Sequence, residues 1–245
     1  MTMQTGSIST TPGRPPVAPS PSLLDGYRFR VCETAEDAAR AVAVRREVYV
    51  RGAGYDIAVP DQFDTRSWLL LAEEEATGEA VGTMRITPRR YGSYECERYF
   101  DIPASHRTRI CGEINRFAIL PAHRRAGSGM PAVSLGLVKL VIHFMAGVAG
   151  LPRGVVASRP ERSFTYEWIG FRSTGQRAPY GSLGSTPHEL LMVDFRADIE
   201  TAMATHPLGS FLLDEASPEI TLPRQVPVLG LGALEPAPLR VAVGA

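Results

Sequence analysis

Hydrophobic and polar positions alternate along some stretches of the chain and recur at helical spacing along others. Tyr27–Cys32 alternates weakly and predicts a first strand. Thr34 and Asp37 form a capping-box-like start, and a helix is predicted from there to about Val50. Ala38, Ala41, Val44 and Val48 fall on one face of it. Arg45 and Tyr49, four residues apart, share a neighbouring face. Gly52–Asp64 is predicted as a loop. Trp68–Ala72 and Ala80–Thr87 predict a hairpin turning at Thr77 and Gly78. Arg89–Ser105, irregular and rich in tyrosine and charge, reads as a lid. Glu113–Leu120 alternates again, with Glu113, Asn115, Phe117 and Ile119 on one side and Ile114, Arg116 and Ala118 on the other.

Pro121 ends that run. A glycine-rich stretch follows, then an apolar helix over 131–148, a short strand over 154–158 and a short helix over 163–169 closed by Gly170. A strand over 189–195 and a helix over 198–205 complete the pattern. The order β-α-β-β-β-α-β-α-β predicts an α/β (or α+β) protein with helices flanking a mostly continuous sheet.

Both ends break the pattern. Residues 1–24 hold five prolines among Ser, Thr and Gly, with no acidic residue before Asp25, and are expected to form a disordered arm. Residues 206–245 are rich in Pro and Gly and read as a tail, parts of which could add an edge strand or cover a groove. One domain is expected between them, over 25–205.

Composition narrows the function. The formal net charge is zero, so nothing suggests bulk attraction to nucleic acid or to an anionic membrane. Three cysteines fit a reducing compartment better than a disulfide framework. No apolar signal-peptide core stands near the start, and a cytoplasmic location is expected. The longest apolar stretch is interrupted by Lys139 and His143, which fits a core helix with both side chains snorkelling out rather than a membrane span. The five histidines are scattered and fit no metal-ligand spacing.

The candidate chemistry centres on residues 112–131. Arg124, Arg125, Ala126, Gly127, Ser128 and Gly129 stand between a strand and a helix start. Glycines there let a phosphate approach backbone N–H groups, the helix dipole favours its charge, and two arginines strengthen the seat. The strand before it carries a carboxylate, Glu113. Cys111 could point the same way, but a buried structural role fits it better.

Arg-x-x-Gly-x-Gly after a long strand, with Tyr166 to Phe171 ending in Gly-Phe, resembles the GNAT acyltransferase superfamily over roughly residues 27–195. A narrower pattern resembles the N-acyl amino acid synthases and acyl-homoserine-lactone (autoinducer) synthases. It comprises Arg45 and Tyr49, Tyr55, Asp61 and Asp64, Arg85, and Glu113 and Arg116, in that order. Tyr55 stands where the lactone synthases usually carry Trp, and the stretch to Asp61 is shorter, which favours the amino acid synthase branch.

The resemblance implies a GNAT fold with a mixed, mostly antiparallel sheet. It also implies transfer of an acyl chain, expected to be fatty in length, from acyl-CoA or the phosphopantetheine of an acyl-carrier protein to the amine of an amino acid or related small metabolite. Glu113 would be the general base, through a water. Tyr166 would protonate the leaving thiolate. Arg124–Gly129 would hold the donor's phosphates. Asp61 and Asp64 would orient the amine, and Arg45, Arg85 or Arg116 a carboxylate, with Tyr49 and Tyr55 completing the acceptor site. The same charged residues could instead form a structural ion-pair network. Three other functions fit: acetyl-CoA-dependent N-acetylation of a small amine or protein, lactone synthesis, and non-catalytic binding of an acyl carrier or acyl-CoA.

Overall fold

The computed structural model describes residues 22–124, 130–183, 185–213 and 217–229. Its elements are β1 (Tyr27–Val31), α1 (Ala35–Arg45), β2 (Trp68–Glu74), β3 (Ala80–Pro88), β4 (Cys111–Ile119), α2 (Ala132–His143), β5 (Arg153–Ser158), α3 (Pro160–Trp168), β6 (Arg172–Tyr180), β7 (Thr186–Asp194), α4 (Glu200–Met203), α5 (Gly209–Leu213) and β8 (Ile220–Thr221). The strands form one sheet in the order β6-β7-β5-β4-β3-β2-β1-β8. Among the described residues, only β4/β5 and β1/β8 pair in parallel. This is the mixed, mostly antiparallel sheet that the sequence pattern and the resemblance imply.

The central strands are buried on both faces. On β2, Leu70 and Trp68 join the core beneath α2, while Leu69 and Leu71 pack with Ala38, Ala41 and Val42 of α1. A strand covered on both sides reads as a continuous apolar run, as Trp68–Ala72 does. The Thr34 hydroxyl caps α1 by accepting from the Asp37 N–H at 3.1 Å. Past Arg45 the helix widens into a π-helical segment, Arg46–Gly52.

Helix α2 is apolar almost all round because it is covered on both sides. Its sheet-facing side lies unusually close. A Cβ on Gly136 would come within 2.2 Å of the Phe29 ring. A mid-helix glycine costs about 1 kcal/mol against alanine, so this one is explained by the close approach to β1.

Lys139 and His143 do not snorkel out. Lys139 is 1% exposed. Its ammonium donates to Phe211 O at 2.5 Å and Ser217 Oγ at 2.6 Å, and the His143 ring meets Leu212 O at 2.9 Å. The two side chains bind the C-terminal segment onto α2 through its backbone carbonyls. That segment then supplies β8, and further on Pro227 O accepts from Trp68 Nε1 at 2.9 Å. The expected arm lies outside the described residues up to position 21, and Leu24 is fully buried.

Two further expectations are corrected. The 89–105 stretch is no lid: Tyr94, Cys96 and Ile102 are at most 1% exposed and build a second core with Cys111, Val155 and Leu190. Residues 172–180 form an unforeseen edge strand, β6, whose positions are largely exposed and polar.

Gly136→Ala should destabilise the protein by about 1–3 kcal/mol through overpacking against Phe29, although helix propensity alone favours alanine. Urea denaturation measures the sign, and a stabilised variant would disprove the close packing.

Candidate active site

Strand β4 is where the sheet opens. It pairs with β5 only at Cys111, Gly112 and Glu113; past Glu113 no pairing continues between them. On its other edge β4 pairs with β3 throughout, but the register slips between Thr83 and Arg85. Gly82↔Ile119 and Thr83↔Ala118 lie on one side of the slip, and Arg85↔Asn115 and Ile86↔Ile114 on the other. One extra residue of β4 is accommodated there, and Arg116 takes φ +54°. This is a β-bulge with a non-glycine residue in the left-handed region.

The bulge changes which residues meet. Regular alternation predicts Arg116 on the face opposite Glu113 and Asn115. Instead Arg116 Nη2 donates to Glu95 Oε1 at 2.7 Å and Asp61 Oδ2 at 3.0 Å, and Asn115 reaches the same glutamate at 3.4 Å. The Phe117 carbonyl accepts from the Tyr49 hydroxyl at 2.8 Å, which ties the bulge to the widened end of the first helix.

Behind the bulge lies a buried charge cluster. Arg45 grips Asp64 with both terminal nitrogens, at 2.8 and 2.9 Å. Arg85 Nη1 donates to Asp61 at 2.5 Å and Asp64 at 3.2 Å, its Nη2 to Glu95 at 2.7 Å, and its Nε to Asn115 at 2.8 Å. Arg45, Arg85 and Arg116 are thus matched by Asp61, Asp64 and Glu95. Of these six, Asp61 has the most exposed side chain, at 13%. Burial alone would raise both aspartates, but the surrounding guanidinium groups outweigh it and hold them below the usual carboxylate range.

Glu113 is fully buried beside this cluster. Its oxygens accept from the backbone N–H groups of Glu95 at 2.8 Å and Cys96 at 3.0 Å. Burial first, and then neighbouring Glu95, push its carboxyl above the ordinary glutamate value. Glu95 itself was not foreseen. The only signal for it in the sequence was one carboxylate in a charge-rich irregular stretch.

On the opposite face, Met84, Ile114, Val138, Val141, Ile142, Tyr166, Ile169, Phe171 and Phe195 line a wholly apolar cavity of about 10 Å³. Tyr166 packs edge-on against Phe171, with ring centroids 5.5 Å apart, and burial raises its phenol well above the ordinary value. Tyr49 lies near enough to Tyr166 to add to that rise. Tyr55 packs 6.3 Å from Tyr49, centroid to centroid, beneath the Arg159 guanidinium at 5.7 Å.

The expected acceptor residues are therefore together: Arg45, Asp61, Asp64, Arg85 and Arg116 in one network, and Tyr49 and Tyr55 beside it. Glu113 and Tyr166 are not. Glu113 belongs to the charge cluster and Tyr166 to the apolar cavity. Arg124 Nε donates to Ile119 O at 2.7 Å, which anchors it at the end of β4. The remaining expected phosphate contacts, Arg125, Ala126, Gly127, Ser128 and Gly129, lie outside the described residues.

The sheet thus opens between parallel central strands, beside a bulge in the longer one. Residues 44–131 match the acetyltransferase (GNAT) domain family. That match spans about a third of the chain, and the fold accords with it. Among solved structures it is similar to FeeM, an N-acyl amino acid synthase from uncultured soil microbes, with TM-score 0.59 and 14% identity over 76% of this chain and 96% of that one. It is also similar to BjaI, a CoA-dependent acyl-homoserine lactone synthase solved with SAM and isopentyl-CoA, with TM-score 0.59 and 17% identity over 81% and 94%. MesI, another CoA-dependent lactone synthase, gives TM-score 0.57 and 15% identity over 79% and 99%. At these identities the likeness is one of fold. No curated protein matches the chain in sequence.

Asp64→Asn removes one partner of a buried pair and should cost about 3–5 kcal/mol at neutral pH. Both aspartates are depressed, so their contribution is complete above the ordinary aspartate value of about 3.9 and is lost as pH falls through their lowered folded values. The stability gap between wild type and variant should therefore narrow on acidification. Urea titrations across pH would contradict this if the gap stayed constant.

Proposed function

We propose that the protein is an N-acyltransferase that moves an acyl chain from acyl-CoA, or from the phosphopantetheine of an acyl-carrier protein, to the amine of an amino acid or related small metabolite. The observation that carries this reading is the apolar cavity against Ile114, the β4 residue just past the last β4/β5 pair, back to back with a buried carboxylate–guanidinium cluster. A thioester lying in the gap would have its acyl end on the dry side and its carbonyl beside β4.

In this mechanism the amine attacks the thioester carbonyl and loses its proton to Glu113 through a water. Backbone N–H groups of β4 beyond Glu113 stabilise the oxyanion. The thiolate leaves and takes a proton from Tyr166, whose raised phenol is protonated at neutral pH. Asp61 and Arg116, at the accessible edge of the cluster, orient the acceptor, with Tyr49 and Tyr55 flanking it. Arg124 binds the donor's phosphate. In this reading the donor and acceptor are small or carrier-bound metabolites. No helix among the described residues is long and apolar enough to cross a membrane.

A second reading, transfer of acetyl from acetyl-CoA, is favoured by the cavity's size, since about 10 Å³ accepts no long chain without side-chain movement. Lipid extracts from a bacterial host expressing the protein separate the two by mass spectrometry, with Glu113→Gln as control. Long-chain N-acyl amino acids, absent from the control, are expected. Release of CoA from acetyl-CoA alone, in a panel of donors, would favour the acetyltransferase. Equal product from Glu113→Gln would remove the general-base role.

A further inference from the structure

Glu95 is buried to 2% exposure on the stretch between β3 and β4, and it touches Arg85, Asn115, Arg116 and Glu113. Its two carboxylate oxygens divide the labour. Oε2 accepts from Arg85 at 2.7 Å and from Asn115 at 3.4 Å, and Oε1 from Arg116 at 2.7 Å. Its backbone N–H donates to Glu113 Oε2 at 2.8 Å. Next in sequence, the Cys96 N–H takes the other oxygen of Glu113. One dipeptide, Glu95-Cys96, therefore fixes both the orientation of Glu113 and the bulge residue Arg116. We propose that Glu95 is a positioning residue for acyl transfer, joining the arginine cluster to Glu113 and fixing the orientation and surroundings of that carboxyl.

The environment of Glu113 supports the assignment. From β3, Arg85 faces it and favours its charged form. From the stretch after β3, Glu95 disfavours that form by like charge, and the Cys96 thiol and Tyr94 lie close. Arg66 in the turn before β2 and Tyr180 at the end of β6 interact with it electrostatically. Glu95 is the only second carboxylate in this set. Its carboxylate is held by Arg85 and Arg116, whereas the oxygens of Glu113 meet backbone N–H groups. A carboxyl poised closer to neutrality is better suited to accept a proton from an amine than one at the ordinary value.

The inference rests on the acyl-transfer role of Glu113, and the test separates the two. Infrared titration of the full chain, labelled with carbon-13 at the glutamate carboxyls, follows Glu113 without any substrate. A protonated-carboxyl band should persist above the ordinary glutamate value of about 4.3 in wild type and be missing in Glu113→Gln. In Glu95→Gln, which keeps an acceptor oxygen for Arg85, the band should titrate at least about one pH unit lower. Glu95→Asp, retaining the charge, should return it towards wild type. The acid limb of the pH–rate profile should move with the band, with kcat falling more than the amine KM rises. The wild-type titration needs no variant to fold, and absence of the band there overturns the proposal. So does a band unmoved in Glu95→Gln. A band that moves as expected while Glu113→Gln retains full acyl transfer overturns the catalytic role of Glu113, and the positioning role of Glu95 with it.

Discussion

Three guanidinium groups lie in the interior of this protein, and the site can exist only because three carboxylates neutralise them there. Removing a charge from water costs several kcal/mol even after relaxation. Arg45, Arg85 and Arg116 escape that penalty by sharing Asp61, Asp64 and Glu95 among at least seven nitrogen–oxygen contacts of 2.5–3.2 Å. The members come from α1, the loop before β2, β3, the stretch after β3, and β4. Each element is held in place by the demand that its charge be met. The network therefore acts both as the structural ion-pair cluster and as the rigid wall of the proposed acceptor site. These readings do not compete: arginines whose forks are already filled cannot all bind a substrate carboxylate, and of the six side chains Asp61 is the most exposed.

The bulge at Arg116 follows from the same demand. A regular β4 would turn Arg116 to the apolar face, where no carboxylate waits among the described residues that line the cavity. One inserted residue rotates it into the cluster at the cost of a left-handed backbone, of order 1–3 kcal/mol for a non-glycine residue. Two charge-assisted contacts to Asp61 and Glu95 and the Tyr49 hydroxyl on the next carbonyl are what over-determine that conformation. The slip in register is thus a consequence of charge placement, and it lies just past the last β4/β5 pair.

Much of this was legible in the chain. The cap at Thr34, the hairpin, the long alternating strand and the apolar helix each carry a local signal, because one amphipathic face or one turn decides them. The grouping of Arg45, Asp61, Asp64, Arg85 and Arg116 was visible as a sparse resemblance. What failed to show was set by contacts between distant segments. Nothing in the alternation of 113–120 announces a bulge, since it is Asp61, some 55 residues away, that pulls Arg116 round. Strand β6 has polar, exposed positions plus Gly175 and Pro179, as an edge strand tolerates, so it lacks the apolar alternation on which strand recognition depends. Lys139 looked like a snorkelling side chain because its acceptors lie on a C-terminal segment that had no pattern of its own. Glu95 sat in a stretch whose irregular backbone hid a packed core.

The division of β4 into a polar and a dry face has a chemical consequence. Ile114 belongs to the apolar cavity while its neighbour Glu113 belongs to the charge cluster. Elsewhere the sheet separates those two environments, and a hydrogen-bonded backbone gives no passage. Only past Glu113, where β5 leaves β4, can a single substrate touch both. In the proposed reaction this is the one place where an acyl chain can stay out of water while its carbonyl faces ionisable groups. The paired strands elsewhere confine the chemistry to that gap, and the low dielectric on the acyl side strengthens each charge interaction on the other. The separation of Glu113 from Tyr166 then suits their proposed roles. The base and the acid serve opposite ends of the thioester, the incoming amine and the departing sulfur, and a site that held them in contact would allow them to neutralise each other.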